Sequence, residues 1–555
     1  MARAGGARPA AIPWTPWHIR AGWLLRSHRL RHTDPDLRRL GGFARAYGVS
    51  GQKEGGISPS TLSRWESGTV VVTAEAVRRY EGVLGLPAHH LLAPIQTVAR
   101  HEGGPAAAAF LRGRYGPPAG TAANGPARPR SAGAHGTALR MDPLLDRALD
   151  GGILTSEDWD ELTWWAAYGG GSVSPGRVRR AVVQRLLEET LVSSSTQWMR
   201  RFEALGRLMA DPFWAPEAVA VCAEAAEQSE HVGLIEAVCA LDGSPHPDAA
   251  RAVIRQLTDP TTEDSRYGAM LAAARKSRKG HFGADQNRVL VDVVDGVLTS
   301  ASQGAHPLPL VEAAAVLVHR LPLSAAHTAR LVAAAADLHP TAGAVVLHGS
   351  LTAPAAASVT VARVLARLPD DVTSPQSGDV LGGIVHDLLH HPVADVRLYA
   401  AMLLSASPYG GEVAAALTAE LRNTAVVRAE NQAVPVLYAL RVLGGPEQRG
   451  VVADLTLARG LPRGVVLAAV DALGHIGGRS PETYWRAVFE RHSKAVPDPG
   501  EQQRVLKRLV YSFAMADELD LLTRLVGEQA REVSAQGLSR WWTHLARHVR
   551  ESARR

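Results

Sequence analysis

Ile57-Ser58-Pro59-Ser60-Thr61-Leu62-Ser63-Arg64-Trp65-Glu66-Ser67-Gly68 is the most strongly marked local segment of this chain. Ser58 is a good N-cap, since its hydroxyl can accept from a first-turn N–H that has no partner within the helix. Pro59 follows at the first helical position, where its missing N–H costs nothing. Ile57 before the cap and Leu62 beyond it can form a hydrophobic staple. Gly68 lies just past the end, where a left-handed residue stops a helix. The stretch therefore predicts a short helix over 59–67. At about 100° per residue, Leu62 points inward with Glu66 near it and Trp65 on the flank. Ser60 and Arg64 point outward one turn apart, with Thr61 beside them. An arginine can pair bidentately with guanine O6 and N7, and serine or threonine can reach bases or phosphates. Such a face suits a major groove.

The flanks extend the pattern. Thr15-Pro16 opens an earlier helix with Trp17, Ala21, Leu24, Leu25 and His28 on an apolar stripe. Phe43-Ala44-Arg45-Ala46-Tyr47-Gly48 ends another. Thr73 caps a later one, in which Val77, Tyr80, Val83 and Leu84 can pack inward. Leu86-Pro87 breaks it, and Leu91-Leu92 can close the bundle.

With these pieces in place, residues 19–92 resemble the Cro/repressor-type (XRE) helix-turn-helix family. The matching segments are Leu25-Arg26-Ser27-His28-Arg29, Gly48-Val49-Ser50 at the turn, Leu62-Ser63-Arg64-Trp65-Glu66-Ser67-Gly68, and Leu84-Gly85-Leu86. The resemblance implies a five-helix bundle whose third helix enters the major groove, with Ser60, Thr61 and Arg64 facing bases. It implies structural roles for Leu62, Trp65 and Gly68, and for Glu66 paired with Arg29 of the first helix. Ser58, Ser63 and Thr69 become candidate phosphate contacts. One departure is plain: Gly51-Gln52-Lys53-Glu54-Gly55-Gly56-Ile57-Ser58 is inserted after the turn, so Ser58 replaces Ser50 as the cap. The glycine pair reads as a loop, and Lys53 on it is a further candidate phosphate contact.

Charge is consistent with a polyanionic partner for this end of the chain. Residues 1–140 hold 19 Lys+Arg against 7 Asp+Glu, whereas the remainder holds 41 against 47. A basic head on a mildly acidic body is the pattern expected where one end meets nucleic acid; a basic unstructured tail would look the same. At 555 residues the chain exceeds one compact core. Cys222 and Cys239 lack metal-type spacing with histidines, so neither a disulfide framework nor a zinc site is expected. Met1 to Pro13 lacks the apolar run of a signal peptide, and no stretch approaches a membrane span. The expectation is a cytoplasmic, nucleoid-associated protein.

The expected fold class is all-α: an N-terminal helix-turn-helix bundle, a flexible linker and a C-terminal HEAT-like α-solenoid. The boundaries read as a disordered arm 1–14, a DNA-binding domain 15–100, a Gly/Ala/Pro-rich linker 101–140 and a helical-repeat domain 141–555. The repeat shows in three units ending at Leu404, Leu443 and Leu473, of which the first, from Leu388 through Pro392 and Asp395 to Ala400-Ala401, resembles a HEAT repeat. An irregular helical bundle is the competing reading.

Other signals point less firmly to chemistry. His386-Asp387-Leu388-Leu389-His390-His391 has helical metal-ligand spacing, but it also fits the end of a repeat helix with histidines on an exposed rim, and no metal is expected. Arg275-Lys276-Ser277-Arg278-Lys279 reads as a solvated inter-helix turn rather than a phosphate contact. Trp159, Trp164, Trp165 and Tyr168, like Trp198, Phe202, Phe213 and Trp214, read as aromatic staples. Trp541-Trp542 through His548 resembles a closing helix. No catalytic residue and no cofactor are expected, and the protein is not read as an enzyme.

The reading is a sequence-specific transcription regulator that binds double-stranded DNA as a homodimer, its helical body sensing a peptide, protein or small-molecule effector, with no membrane partner. An interaction scaffold with a head that does not bind DNA is the alternative. A HEAT-like DNA glycosylase using Glu161 beside Trp164 is the remote one.

Overall fold

The structure, a computed structural model, describes residues 15–49, 57–113, 143–168, 175–191, 193, 195–228, 234–300, 306–369 and 375–492, with scattered positions from 505 to 525. The arm 1–14, most of the 51–58 insertion with Lys53, residues 114–140 of the expected linker and the tail aromatics Trp541 and Trp542 lie outside these residues. All regular structure among the described residues is helical, as expected for an all-α chain. Among them no helix is long and apolar enough to cross a membrane.

Seven helices open the described chain: α1 Trp17–Leu30, α2 Pro35–Arg38, α3 Leu40–Val49, α4 Pro59–Glu66, α5 Ala74–Val83, α6 Leu92–Glu102 and α7 Gly104–Arg112. The beginning of the segment expected as a linker is thus helical through Arg112. Its Ala106–Ala109 stretch buries Ala107, and Phe110 is buried one turn on, which supplies the apolar anchor that its Gly/Pro flank hides from a compositional reading.

By contact the described chain forms two compact units, one from residues 71–349, the other from 13–70 together with 350–555. The division falls between Val70 and Val71, inside the segment that the sequence reading draws as one domain. In the first unit the carboxylate of Glu81, near the end of α5, accepts from the backbone N–H groups of His89, Leu91 and Leu92 at 3.0, 2.7 and 2.9 Å. It so caps the start of α6. Burial raises the Glu81 carboxyl above its usual range, and these three donors oppose that shift.

Beyond α7 the helices of each unit stack in two rows. In the first unit Leu234–Ala240, Glu263–Lys279, Leu308–Val318 and Pro340–His348 each pack on the next, beside a row of Ala215–Glu227, Pro247–Thr258, Ala284–Leu298 and Ala325–Leu338. In the second, Ala394–Ser405, Glu430–Leu443 and Arg463–His475 form one row, flanked by Pro354–Leu365, Gly410–Leu421, Pro446–Leu457 and Glu482–His492. Leu404, Leu443 and Leu473 sit at or near the ends of the three helices of one row, and Leu404 and Leu473 are fully enclosed. Ala400, Ala401, Ala468 and Ala469 are buried there as well, small enough to let neighbouring helices approach closely.

Candidate nucleic-acid interface

Local chemistry sets both ends of α4. Ser58 is extended (φ −76°, ψ 146°), and its Oγ accepts from the Thr61 N–H at 3.2 Å. Its carbonyl accepts from the Leu62 N–H at 3.2 Å, which starts the helical ladder. At the far end Gly68 takes φ +70° and donates its N–H to the Trp65 carbonyl at 3.1 Å. Val70 N–H then reaches the Arg64 carbonyl at 3.1 Å, turning the chain back.

The outer face is a band of hydroxyls around one cation. Ser58, Ser60, Ser63, Arg64, Ser67 and Thr69 are exposed and Thr61 is half-buried. Ser58 Oγ lies 2.9 Å from both Ser60 Oγ and Thr61 Oγ1. Arg64 Nη2 donates to Thr61 Oγ1 at 3.4 Å, a long contact that leaves the guanidinium fork directed by, but not consumed in, the helix. Ser67 Oγ donates to the Arg64 carbonyl at 3.2 Å and lies 2.7 Å from Thr69 Oγ1. The single acid of α4, Glu66, is buried, so its outer face presents no negative charge. The positive end of the helix dipole adds to this potential.

The inner face holds α4 at close range. Leu62 is fully enclosed, and Trp65 lies half-buried with its ring 6.1 Å from that of Tyr47 on α3. Glu66 receives a bidentate pair from Arg29 of α1: Nε to Oε1 at 2.6 Å and Nη2 to Oε2 at 2.7 Å, with both side chains about 5% exposed. Arg29 Nη1 also donates to the Arg38 carbonyl, tying the end of α2 to the same point. Two-point geometry of this kind fixes orientation as well as distance. Gly22 allows the approach: a β-carbon there would stand 2.5 Å from the Trp65 carbonyl oxygen and 2.7 Å from that of Glu66. Gly68 likewise sits where a β-carbon would meet Ile19 Cα at 2.7 Å.

The structure therefore gathers Ser58, Ser60, Thr61, Ser63, Arg64 and Thr69 on or beside one exposed helix face, and Arg29, Leu62, Trp65, Glu66 and Gly68 behind it. Lys53 lies outside the described residues. Three participants escape the sequence reading: Gly22, Tyr47 and Ser67. The signal for Gly22 is its place seven residues before Arg29, hence on the same face of α1.

Two sequence readings need correction. The histidines of 386–391 are expected on an exposed rim, yet His390 and His391 are 2% and 4% exposed. His390 Nδ1 lies 3.0 Å from Thr352 Oγ1, and His391 Nδ1 accepts from the Val393 N–H at 3.1 Å. Burial pushes both imidazoles down to about 3. The sequence cannot distinguish this case, because an imidazole with a satisfied nitrogen packs like an aromatic ring. The basic run at 275–279 is not a solvated turn either. It is the last turn of Glu263–Lys279, with Lys276 fully enclosed and donating to the Leu241 and Ser244 carbonyls at 3.2 and 2.6 Å. Burial brings the Lys276 amine down to about 8. Asp242, 3.5 Å from Arg275 and 3.6 Å from Lys279, supplies the countercharge.

Most of the aromatic side chains pack within the first unit, but Tyr168 and Phe213, read as staples too, are exposed at 42% and 45%. Trp159 Nε1 donates to Glu189 at 2.6 Å, Trp164 meets Trp165 edge-on at 4.8 Å, and Trp165 Nε1 donates to Glu161 at 3.4 Å. Trp198 stacks on Phe202 at 4.9 Å. Cys222 and Cys239 are both buried, and burial pushes the Cys222 thiol up to about 12. Among the described residues no cluster of three or more His, Cys, Asp or Glu side chains could hold a metal ion.

A helix-turn-helix family model (HTH_3) matches residues 51–91, which span α4 and α5. No curated protein matches the chain. The match supports a DNA-binding regulator in general.

Proposed function

We propose that the chain is a sequence-specific transcription regulator that lays α4 in the major groove of double-stranded DNA. The observation that carries this reading is the outer face of α4: Arg64 directed by Thr61, flanked by serine hydroxyls, with the helix's only acid withdrawn into a buried pair. Arg64 reads a guanine, Ser60 and Thr61 contact neighbouring bases, and Ser58, Ser63 and Thr69 meet phosphates. Two such heads pair on a two-fold operator, so the working species is a homodimer.

The remainder is a HEAT-like helical repeat that senses an effector. The two-row stacking of its helices supports this, since stacked helix pairs build extended surfaces suited to a peptide, a protein or another ligand. No catalytic role is assigned to any residue, and the protein acts in the cytoplasm on the nucleoid.

The test is a salt series with the full chain on duplex DNA. Phosphate neutralisation makes log affinity fall linearly with log salt. A steep fall, with a preferred sequence surviving at near-physiological salt, is expected. A flat response assigns the head to protein interaction instead.

A further inference from the structure

We infer that α1 is a mechanical link by which the helical body sets the position of the DNA-reading helix, with Asp387 acting through Arg20 as the anchor. All the groups involved belong to the same compact unit.

α1 is buried on nearly every side: Trp17, Arg20, Ala21, Gly22, Trp23, Leu24, Leu25, Ser27 and Arg29 are all enclosed. A helix with one partner buries one stripe; burial all round marks a helix held between two. At about 100° per residue Gly22 and Arg29 share one face, with Ile19 at its edge. Gly22 meets the Trp65 and Glu66 carbonyls of α4, Arg29 the Glu66 carboxylate, and Ile19 the Gly68 turn just past α4. Arg20 and Arg31, the residue just past the helix, lie on the opposite face, with Trp23 and His28 at its two margins. Those four meet the body.

The anchor on that second face is built from side chains. Arg20, fully enclosed, donates from Nη2 to Asp387 of the helix Pro375–His390 and from Nε to the Thr15 carbonyl at 2.9 Å. Thr15 Oγ1 would stand 3.5 Å from a β-carbon on Gly383, one turn before Asp387. Trp23 packs on Tyr409 with ring centroids 6.2 Å apart, and the Arg31 guanidinium lies 5.1 Å from the same ring. His28 Nε2 is 2.6 Å from the Ala406 carbonyl, and Arg31 approaches Glu412 at 3.8 Å. A buried ion pair tolerates little displacement, because moving either partner leaves the other as an uncompensated charge. Movement of Pro375–His390 or of the turn at 406–409 is therefore passed to α1, and by Gly22 and Arg29 to α4. An effector that repacks these body helices would reorient α4 without touching it.

Hydrogen exchange on the full chain, without DNA, tests the link. In Asp387→Asn, amides over 59–68 should exchange about ten-fold faster or more than in the parent, because α1 loses its anchor. Val488→Ala, in the helix Glu482–His492 of the same unit, should quicken exchange locally and leave 59–68 at the parental rate. Unchanged exchange over 59–68 in Asp387→Asn, with faster exchange confined to 375–390, would overturn the inference. Should Asp387→Asn fail to fold, Tyr409→Leu poses the same question through the Trp23 contact. The consequence for DNA rests on the function proposed above: selected duplexes should bind Asp387→Asn more weakly by about ten-fold. If the parent binds no DNA, that function fails, and the exchange result still decides the link.

Discussion

Gly22 of α1 runs directly beneath the Trp65 carbonyl of α4, so close that a β-carbon at this position would stand 2.5 Å from the oxygen. Elsewhere in a helix, replacing glycine by alanine stabilises by roughly 0.5–1 kcal/mol. Here the sign reverses. Gly22→Ala should destabilise by about 1–3 kcal/mol, as overpacking does, and should weaken DNA binding. Gly41→Ala on α3, where a β-carbon meets nothing within 4 Å, is the control and should be neutral or stabilising. Thermal unfolding of both variants measures the contrast.

The Arg29–Glu66 pair makes a second prediction. Both side chains are buried, so Glu66→Gln leaves a guanidinium without its countercharge and should cost about 3–5 kcal/mol. Arg29→Met with Glu66→Leu removes both charges and should recover much of that loss. Denaturant unfolding of the parent, Glu66→Gln and the double variant reads the difference; equal stability of Glu66→Gln and the double variant would contradict a pair held by its buried charges.

Arg64 should behave in the opposite way. It is exposed and its one intrahelical contact is long, so Arg64→Ala should leave the stability within about 0.5 kcal/mol of the parent. Its effect should fall on discrimination, about 1–3 kcal/mol at one base pair. Binding titrations on single-substitution duplexes locate that base pair.

Acid should destabilise the unit formed by 13–70 and 350–555. His390, His391 and His475 are held neutral by burial, each brought down to about 3 from an ordinary value near 6.5. Between roughly pH 6.5 and 3 the unfolded chain binds protons that the folded one refuses, so stability falls as pH falls. Each histidine contributes up to about 1.4 kcal/mol per pH unit over that window. Asp387 adds loss of the same sign at lower pH. Burial would raise its carboxyl, but the nearby His386 imidazole, 3.9 Å away, and the Arg20 guanidinium outweigh this and hold it below the usual range. Unfolding temperatures from pH 7 to 5 should decline, with a shallower slope in His390→Gln. A flat profile contradicts the burial of these rings.

The legible parts of the fold are those written in local chemistry. Ser58, Pro59 and Gly68 mark the ends of α4 because capping acts within a turn, and Leu62 against Ser60 and Arg64 fixes its two faces through helical period alone. The helical class follows from the same periodicity, and Leu404, Leu443 and Leu473 mark one row of the body. Long-range pairing is not legible. Nothing near Arg20 announces Asp387, 367 residues away, and the enclosure of His390 and Lys276 depends on carbonyls and hydroxyls from other helices. Charged letters read as surface unless their partners are known, which is why the 275–279 run and the 386–391 histidines read as exposed. Arg29 and Glu66 enter through family resemblance rather than through spacing.

Selection of bound duplexes from a random DNA pool, by the full chain and by Arg64→Ala at near-physiological salt, asks whether α4 reads DNA sequence. The parent should enrich a two-fold-symmetric motif, with one position per half-site, a guanine, relaxing in the variant. Enrichment of no sequence by the parent, or of the same motif with undiminished preference by both proteins, would contradict such reading.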